Sequence, residues 1–227
     1  MSPEQAWVKE NADESTLKCL KALKKNNFNG HYFSSGDKAL NHILWSIPPW
    51  VSVGFGDSET VEQIGLPGAL HDRGQKLISS FWEDDPRTHV LPTPGKAFRV
   101  GKEAIQADYF ISGINAITLD GKIVNIDAGG NRVAGTIYGP GKVIMVAGTN
   151  KIVNNVEEAI ERIKKVAAPL NAHRFQTRHG MEHGLPCGPT GECVGCDPCM
   201  ICNITVILEH QIFPRIEVIL IGEKLGL

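Results

Sequence analysis

The sequence predicts an α/β domain with a largely parallel sheet flanked by helices. Three observations carry this reading. Strand-length apolar runs alternate with segments of helical periodicity over most of the 227 residues. The run from Val143 to Ala147 is apolar throughout and bounded by Gly141 and Gly148, as in a strand covered on both faces. Asp120-Gly121 between two apolar runs is a hairpin signal.

The elements follow in order. Leu17, Leu20 and Leu23 recur on one side of a first helix, and Lys18, Lys21, Lys24 and Lys25 form its solvated remainder. Asn29-Gly30 is expected to end it. A short strand covers 31–34, and a helix over 37–45 stops at Pro48-Pro49. Residues 51–56 read as a buried strand entering a glycine turn, with a helix from about Ser58. A strand over 76–81, a helix over 98–107 and a strand over 109–112 precede the hairpin at 115–126. A short helix at 131–138 and the strand at 142–148 come next. Residues 156–167 form an amphipathic helix, with Val156, Ala159, Ile160 and Ile163 on one side. Two strands, 204–208 and 216–222, close the pattern. The expected organisation is an N-terminal helical segment, 1–30, packing on an α/β domain, 31–227. A cysteine loop at 184–203 is inserted before the last two strands.

Composition narrows the function classes. Hydrophobic residues make up 42% and charged residues 21%, as in ordinary globular proteins. A net charge of −2 argues against a general nucleic-acid surface. The N-terminus has no basic-then-apolar leader, and no apolar run approaches the ~20 residues of a membrane helix. A cytoplasmic protein without membrane insertion is expected, and reducing conditions there disfavour a disulfide framework. Cys19, beside Leu17 and Leu20, reads as an ordinary buried thiol.

The other five cysteines crowd into Cys187-Gly-Pro-Thr-Gly-Glu-Cys193-Val-Gly-Cys196-Asp-Pro-Cys199-Met-Ile-Cys202. Structural zinc usually draws on two Cys-x2-Cys knuckles separated by a longer loop. Here only Asp197 and Pro198 lie between the two possible knuckles. A [4Fe–4S] cluster is larger and suits consecutive Cys-x2-Cys-x2-Cys spacing. The ferredoxin pattern is incomplete, because only two residues separate Cys202 from Cys199 and Asn203 follows it. Five thiols exceed the four such a cluster uses, so one is spare or one iron is left open. Glycines 188, 191 and 195 let the backbone wrap the sulfurs and offer N–H groups. His173, Arg174, Arg178, His179 and His183 upstream are either a polar surface or a cationic setting for a cluster, anion or partner.

A ligand cleft is the second expectation. Gly54, Gly56, Asp57, Ser58 and Thr60 form a glycine turn at a helix start, where N–H and hydroxyl groups can hold a phosphate or carboxylate. The alternative is that Asp57 or Ser58 only caps the helix. Asn115, Asp120, Asn125, Asp127 and Asn131 crowd one segment; turn chemistry explains Asp120, whereas Asp127 and Asn131 are candidates for a cleft. Lys151 follows the 142–148 strand at its C-terminal end, where open α/β sheets place ligands.

At these residues the sequence resembles the LUD-domain (lactate-utilization) family, in its cysteine-bearing type. The matching runs are Gly54-Phe-Gly-Asp-Ser-Glu-Thr60, the stretch from Ser112 to Asp127, Gly130-Asn-Arg-Val-Ala134, Gly148-Thr-Asn-Lys-Ile-Val153, Ala168-Pro-Leu-Asn171 and Gly222-Glu-Lys-Leu-Gly226. The resemblance implies a fold like that of ribose-phosphate isomerases and CoA transferases, whose glycine turns face a ligand cleft. It matches the family's cysteines at Cys187, Cys193, Cys196 and Cys202, with Cys199 an addition and Ala128 where glycine is usual. It also implies work beside an iron–sulfur redox partner in oxidising lactate to pyruvate. No nucleophile–base pair stands out, so three readings stay open. One is an iron–sulfur protein for electron transfer or an accessory role in organic-acid oxidation. Another is an enzyme whose cleft takes a phosphorylated, CoA-linked or carboxylate metabolite. The third is a cluster-dependent sensor or assembly factor.

Overall fold

The computed structural model describes residues 12–179 and 185–227. Helix α1 (Glu14–Lys25) starts where the Asp13 carboxylate accepts the Thr16 N–H at 2.7 Å. Its buried side presents Cys19 and Leu23 to the core, and its four lysines are exposed. The helix ends earlier than expected. Asn26 closes it, Asn27 takes a positive φ of 62°, and Asn29 already opens β1 (Asn29–Phe33). Asparagine tolerates the left-handed region, so Asn27 makes the turn that Gly30 was expected to make.

Helix α2 (Gly36–Ser46) leads to β2 (Ser52–Phe55), the short helices α3 (Glu59–Gln63) and α4 (Leu66–Asp72), and β3 (Lys76–Ser79). Helix α5 (Pro94–Ala104) begins earlier than periodicity suggested, because a proline suits a first helical position. Strand β4 (Tyr109–Gly113) is followed by the hairpin β5 (Ala116–Thr118) and β6 (Ile123–Asp127), then α6 (Asn131–Ile137) and β7 (Lys142–Gly148). After β8 (Ile152–Val153), helix α7 (Val156–Arg162) passes through a π turn (Ile163–Ala167) into α8 (Ala168–His179). The amphipathic helix is thus longer than the sequence suggested. Pro169 has no N–H to give the preceding turn, and the widened π turn accommodates its ring. Strands β9 (Ile204–Leu208) and β10 (Ile216–Ile221) end the order.

Six strands form one parallel sheet in the order β1-β10-β7-β4-β2-β3. Central β7 is covered on both faces, as its apolar run requires. Val143, Met145 and Ala147 pack with Cys19, Leu23 and Phe110 on one side; Ile144 and Val146 pack with Ile43, Val53 and Val61 on the other. Gly54 of β2 backs onto the Ala104 carbonyl of α5, where any Cβ would collide.

The last two strands do not stay together. β9 pairs antiparallel with β6, Asp127 opposite Ile204, in a second sheet of order β8-β5-β6-β9. Only β10 enters the main sheet, between β1 and β7. The cysteine stretch therefore lies between α8 and β9 and leads directly into the second sheet. The hairpin turn at Asp120-Gly121 docks on α1. Asn26 Nδ2 donates to both carbonyls, at 2.8 and 3.1 Å, and Gly121 has φ 79° against the α1 backbone.

Candidate functional site

A cleft of about 410 Å³ opens beyond the C-terminal ends of β4 and β7. This is where a parallel sheet leaves a crevice. One wall is the main sheet and hairpin: Gly113, Asn115, Asp127, Asn131, Arg132 and Lys151. Asp57, Ser58 and Glu59 form a side. The opposite wall comes from α8, with Asn171 and Phe175, and from Met200 and Ile201 of the cysteine stretch.

The asparagine-rich segment is tied together by one arginine. Arg132 is 8% exposed and donates to Asn115 Oδ1 at 3.1 Å and to the Ile126 carbonyl at 2.8 Å. Its Nε lies 3.5 Å from Asp127 Oδ1. Asn115 N–H donates to Asn125 Oδ1 at 2.8 Å, and Ile126 N–H donates to Asn115 Oδ1 at 3.0 Å. Asn115, Asn125 and Asp127 thus fix the loop between β4 and β6 while leaving Asn115 and Asp127 on the cleft. Arg132 was legible only as part of a motif, since nothing in its spacing says that it closes a network.

Lys151 sits in the turn after β7, 4% exposed, and donates to Thr60 Oγ1 at 2.9 Å. Among the described residues it has no carboxylate partner within 4.0 Å. Burial pushes its pKa from 10.5 down to about 7, Arg162 and Arg132 add to the fall, and Glu59 opposes it. A buried amine with so low a pKa can accept or give a proton near neutrality, or hold a carboxylate that enters the cleft.

The glycine turn is less open than its sequence suggests. Gly54 faces α5, and Gly56 backs onto Arg132 and Ser112 and gives its N–H to the Ile111 carbonyl at 2.9 Å. Ser58 caps α3, its Oγ accepting the Val61 N–H at 3.2 Å. Asp57 is paired with Arg174. Glu59 pairs with Arg174 at 3.0 Å and with Arg178 at 3.2 Å, and Glu62 with Arg178 at 2.5 Å. Of the turn residues singled out in the sequence, Asp57 and Ser58 reach the cleft, whereas Gly54, Gly56 and Thr60 stand behind it. The two arginines are engaged with this acidic turn. Burial acts to lower the Arg174 pKa, but Asp57, Glu62 and Glu59 outweigh it and hold the guanidinium charged.

Helix α8 also holds the start of the cysteine stretch: His173 Nδ1 is 2.8 Å from the Gly188 carbonyl. His183 lies outside the described residues. The Gly191 N–H donates to the Cys187 carbonyl at 2.8 Å, and Gly191 and Gly195 take φ of 69° and 70°. Cys187 is buried, Cys193 exposed, and Cys196, Cys199 and Cys202 intermediate. Cys199 Sγ accepts the Cys202 N–H at 3.3 Å. Burial raises the Cys199 thiol, yet the N–H groups of Ile201 and Cys202, with hydrogen bonds from the Cys196 and Cys202 thiols, outweigh this and lower it. The added cysteine is therefore well supplied with backbone donors.

The donor set fits a soft metal centre. Thiolate sulfurs are ligands for zinc and for iron–sulfur clusters alike. Cys19 lies in the core, where burial and the charge of Asp120 push its thiol up to about 12. Among the described residues no helix is long and apolar enough to cross a membrane.

Comparison with known proteins places the chain. A crystal structure of a DUF162 family protein from Deinococcus radiodurans is 16% identical, with a TM-score of 0.49 over 92% of this chain and 97% of that one. Ribose 5-phosphate isomerase A from Neisseria gonorrhoeae is 16% identical, with a TM-score of 0.31 over 61% of this chain and 63% of that one. No curated protein matches. The family model described as LUD domain matches residues 17–221, and the chain belongs to the LUD-domain family.

Proposed function

We propose that this chain is an iron–sulfur protein of the lactate-utilization type. On this reading its cysteine stretch holds a [4Fe–4S] cluster beside a cleft for a small organic acid. It passes electrons to an iron–sulfur redox partner, or serves as its accessory subunit, as lactate or a related acid is oxidised. One observation carries the reading. Met200 and Ile201, inside the cysteine stretch, line the same cleft as Lys151 and Asn115. A metal group and a bound acid would then be neighbours.

Cys187, Cys193, Cys196 and Cys202 would hold the cluster, with Cys199 either replacing one of them or remaining a free thiol beside it. Bound there, such a cluster would supply one-electron transfer, or a Lewis-acidic iron if one position stayed open. The chain's own residues do the rest. Lys151 offers a buried amine to a carboxylate. Asn115 and Asp127, locked by Arg132, set the cleft's polar edge. Ile126, Ile163 and Phe175 exclude water from its apolar side.

Anaerobic purification with iron and sulfide assays tests this directly. Iron and sulfide in equal amounts are expected, with an EPR signal after reduction that is lost in Cys196→Ser and perturbed by added pyruvate. Stoichiometric zinc without iron would sink the proposal.

The buried Lys151 also favours a second reading, an enzyme whose cleft binds a carboxylate, phosphorylated or CoA-linked metabolite beside a structural cluster. A thermal-shift screen with such anions separates the two. A strong response confined to phosphorylated or CoA-linked compounds supports the enzyme reading over the first.

A further inference from the structure

Away from the cleft, on the face of the main sheet that α2 covers, three metal-ligating side chains converge. His31 and Glu217 stand on the adjacent parallel strands β1 and β10. The register pairs Asn29 with Glu217. His31 lies two residues on from Asn29, so both side chains leave the sheet on one face. His42 turns onto them from α2. Its Nε2 lies 2.8 Å from Glu217 Oε1, and His31 Nε2 lies 3.6 Å from the same oxygen. The imidazole centroids are 5.1 Å apart, and all three donor atoms fall within 4.8 Å of one another.

A hydrogen-bonded ion pair needs only one of these histidines. Two imidazoles from separate elements, each aiming Nε2 at one carboxylate oxygen, make a preformed three-donor set. Phe33 gives it an apolar floor, its ring centroid 4.8 Å from that of His42 and 6.5 Å from that of His31. The donors are 21–27% exposed, so water can reach a fourth position. Tetrahedral zinc with bonds of about 2.0–2.1 Å sets donors roughly 3.3 Å apart. The two distances to the Glu217 oxygen lie on either side of that value.

We propose that His31, His42 and Glu217 bind a borderline divalent transition metal of the zinc class, with water completing the coordination. Two neutral imidazoles and one carboxylate select zinc and its neighbours over magnesium or calcium, which prefer all-oxygen sets. The site contains no thiolate, so its chemistry is distinct from that of the cysteine stretch. Its metal would tie α2 and the edge strand β1 to β10.

The test uses the whole chain, with the metal content of its cysteine stretch measured beforehand. Zinc is titrated by calorimetry, and Co²⁺ by visible absorption. One further equivalent of zinc is expected, with cobalt bands that lack the intense thiolate-to-metal absorption. His42→Ala and Glu217→Gln should each weaken binding by about 100-fold, since losing even an outer-shell partner can cost 10–100-fold. His31→Asn gives the same readout if His42→Ala fails to fold. Cys196→Ser should leave this equivalent in place. No further equivalent in the wild type, unchanged affinity in the folded variants, or a thiolate band from the added cobalt would each overturn the proposal.

Discussion

The two walls of the cleft are built on different physical terms. The sheet wall is fixed by parallel ladders, two apolar layers and the Arg132 network, and its Arg132 and Lys151 side chains are buried. The cysteine wall has turns instead of strands, an exposed Cys193 and an exposed Met200. Its fastenings include the His173–Gly188 bond from α8 and the Asn203 N–H to the Asp127 carbonyl. A sheet wall can hold its geometry alone. A wall made of turns and thiols needs something more to fix it, and a metal centre would supply that. The difference locates rigidity in Asn115, Arg132 and Lys151 and leaves adaptability to the residues around the cysteines.

The largest break in this contrast is expected at Arg174, which ties α8 on the cysteine side to the acidic turn. Its side chain is 11% exposed and faces Asp57, Glu59 and Glu62. Arg174→Ala strips Asp57 of its arginine partner and leaves Glu59 and Glu62 to Arg178, and losing one member of a buried ion pair costs about 3–5 kcal/mol. Urea unfolding should show a loss near the low end, because Arg178 still neutralises Glu59 and Glu62. A loss of iron along with stability would mean that the cysteine wall depends on the acidic turn. Iron retained at lower stability would keep the walls independent.

Lys151 sharpens the comparison from the sheet side. Its pKa falls from 10.5 to about 7 on burial. Between those values the unfolded chain binds more protons than the folded one, so this group's contribution to stability rises with pH. Below pH 7 both states carry the proton and its penalty is full; near pH 10.5 the penalty has gone. Relative to Lys151→Met, wild-type stability should gain about 3 kcal/mol between pH 7 and 10. A flat difference across that range would mean that water reaches the amine and the wall is looser than its burial implies.

The sequence showed the sheet wall well and the cysteine wall only in outline. Local chemistry explains why. The apolar run of β7 and the Asp120-Gly121 turn act within a few residues, so their patterns are readable. The second sheet was not, because β9 and β10 are similar apolar runs and only the long-range pairing of β9 with β6 tells them apart. The arginines were misread for the same reason. Arg174 meets Asp57 across 117 residues, and no spacing rule connects them. Nor does any local pattern bring Met200 to a cleft that begins at Gly113.

The smallest expected effect decides what the glycine turn contributes. The Ser58 side chain caps α3 through the Val61 N–H and also lines the cleft. Removing a capping hydroxyl costs about 1 kcal/mol. α3 spans only Glu59–Gln63 and opens on Glu59 and Glu62, whose negative charge already suits a helix start. Ser58→Ala should therefore lose about 1 kcal/mol in urea unfolding, and pyruvate should perturb the reduced EPR signal as expected for the wild type. If the stability loss appears and the pyruvate effect disappears, Ser58 touches the acid, and the acidic turn is a third wall of the site. If only stability changes, the turn is scaffold, and recognition rests with Lys151 and Asn115 on the sheet side.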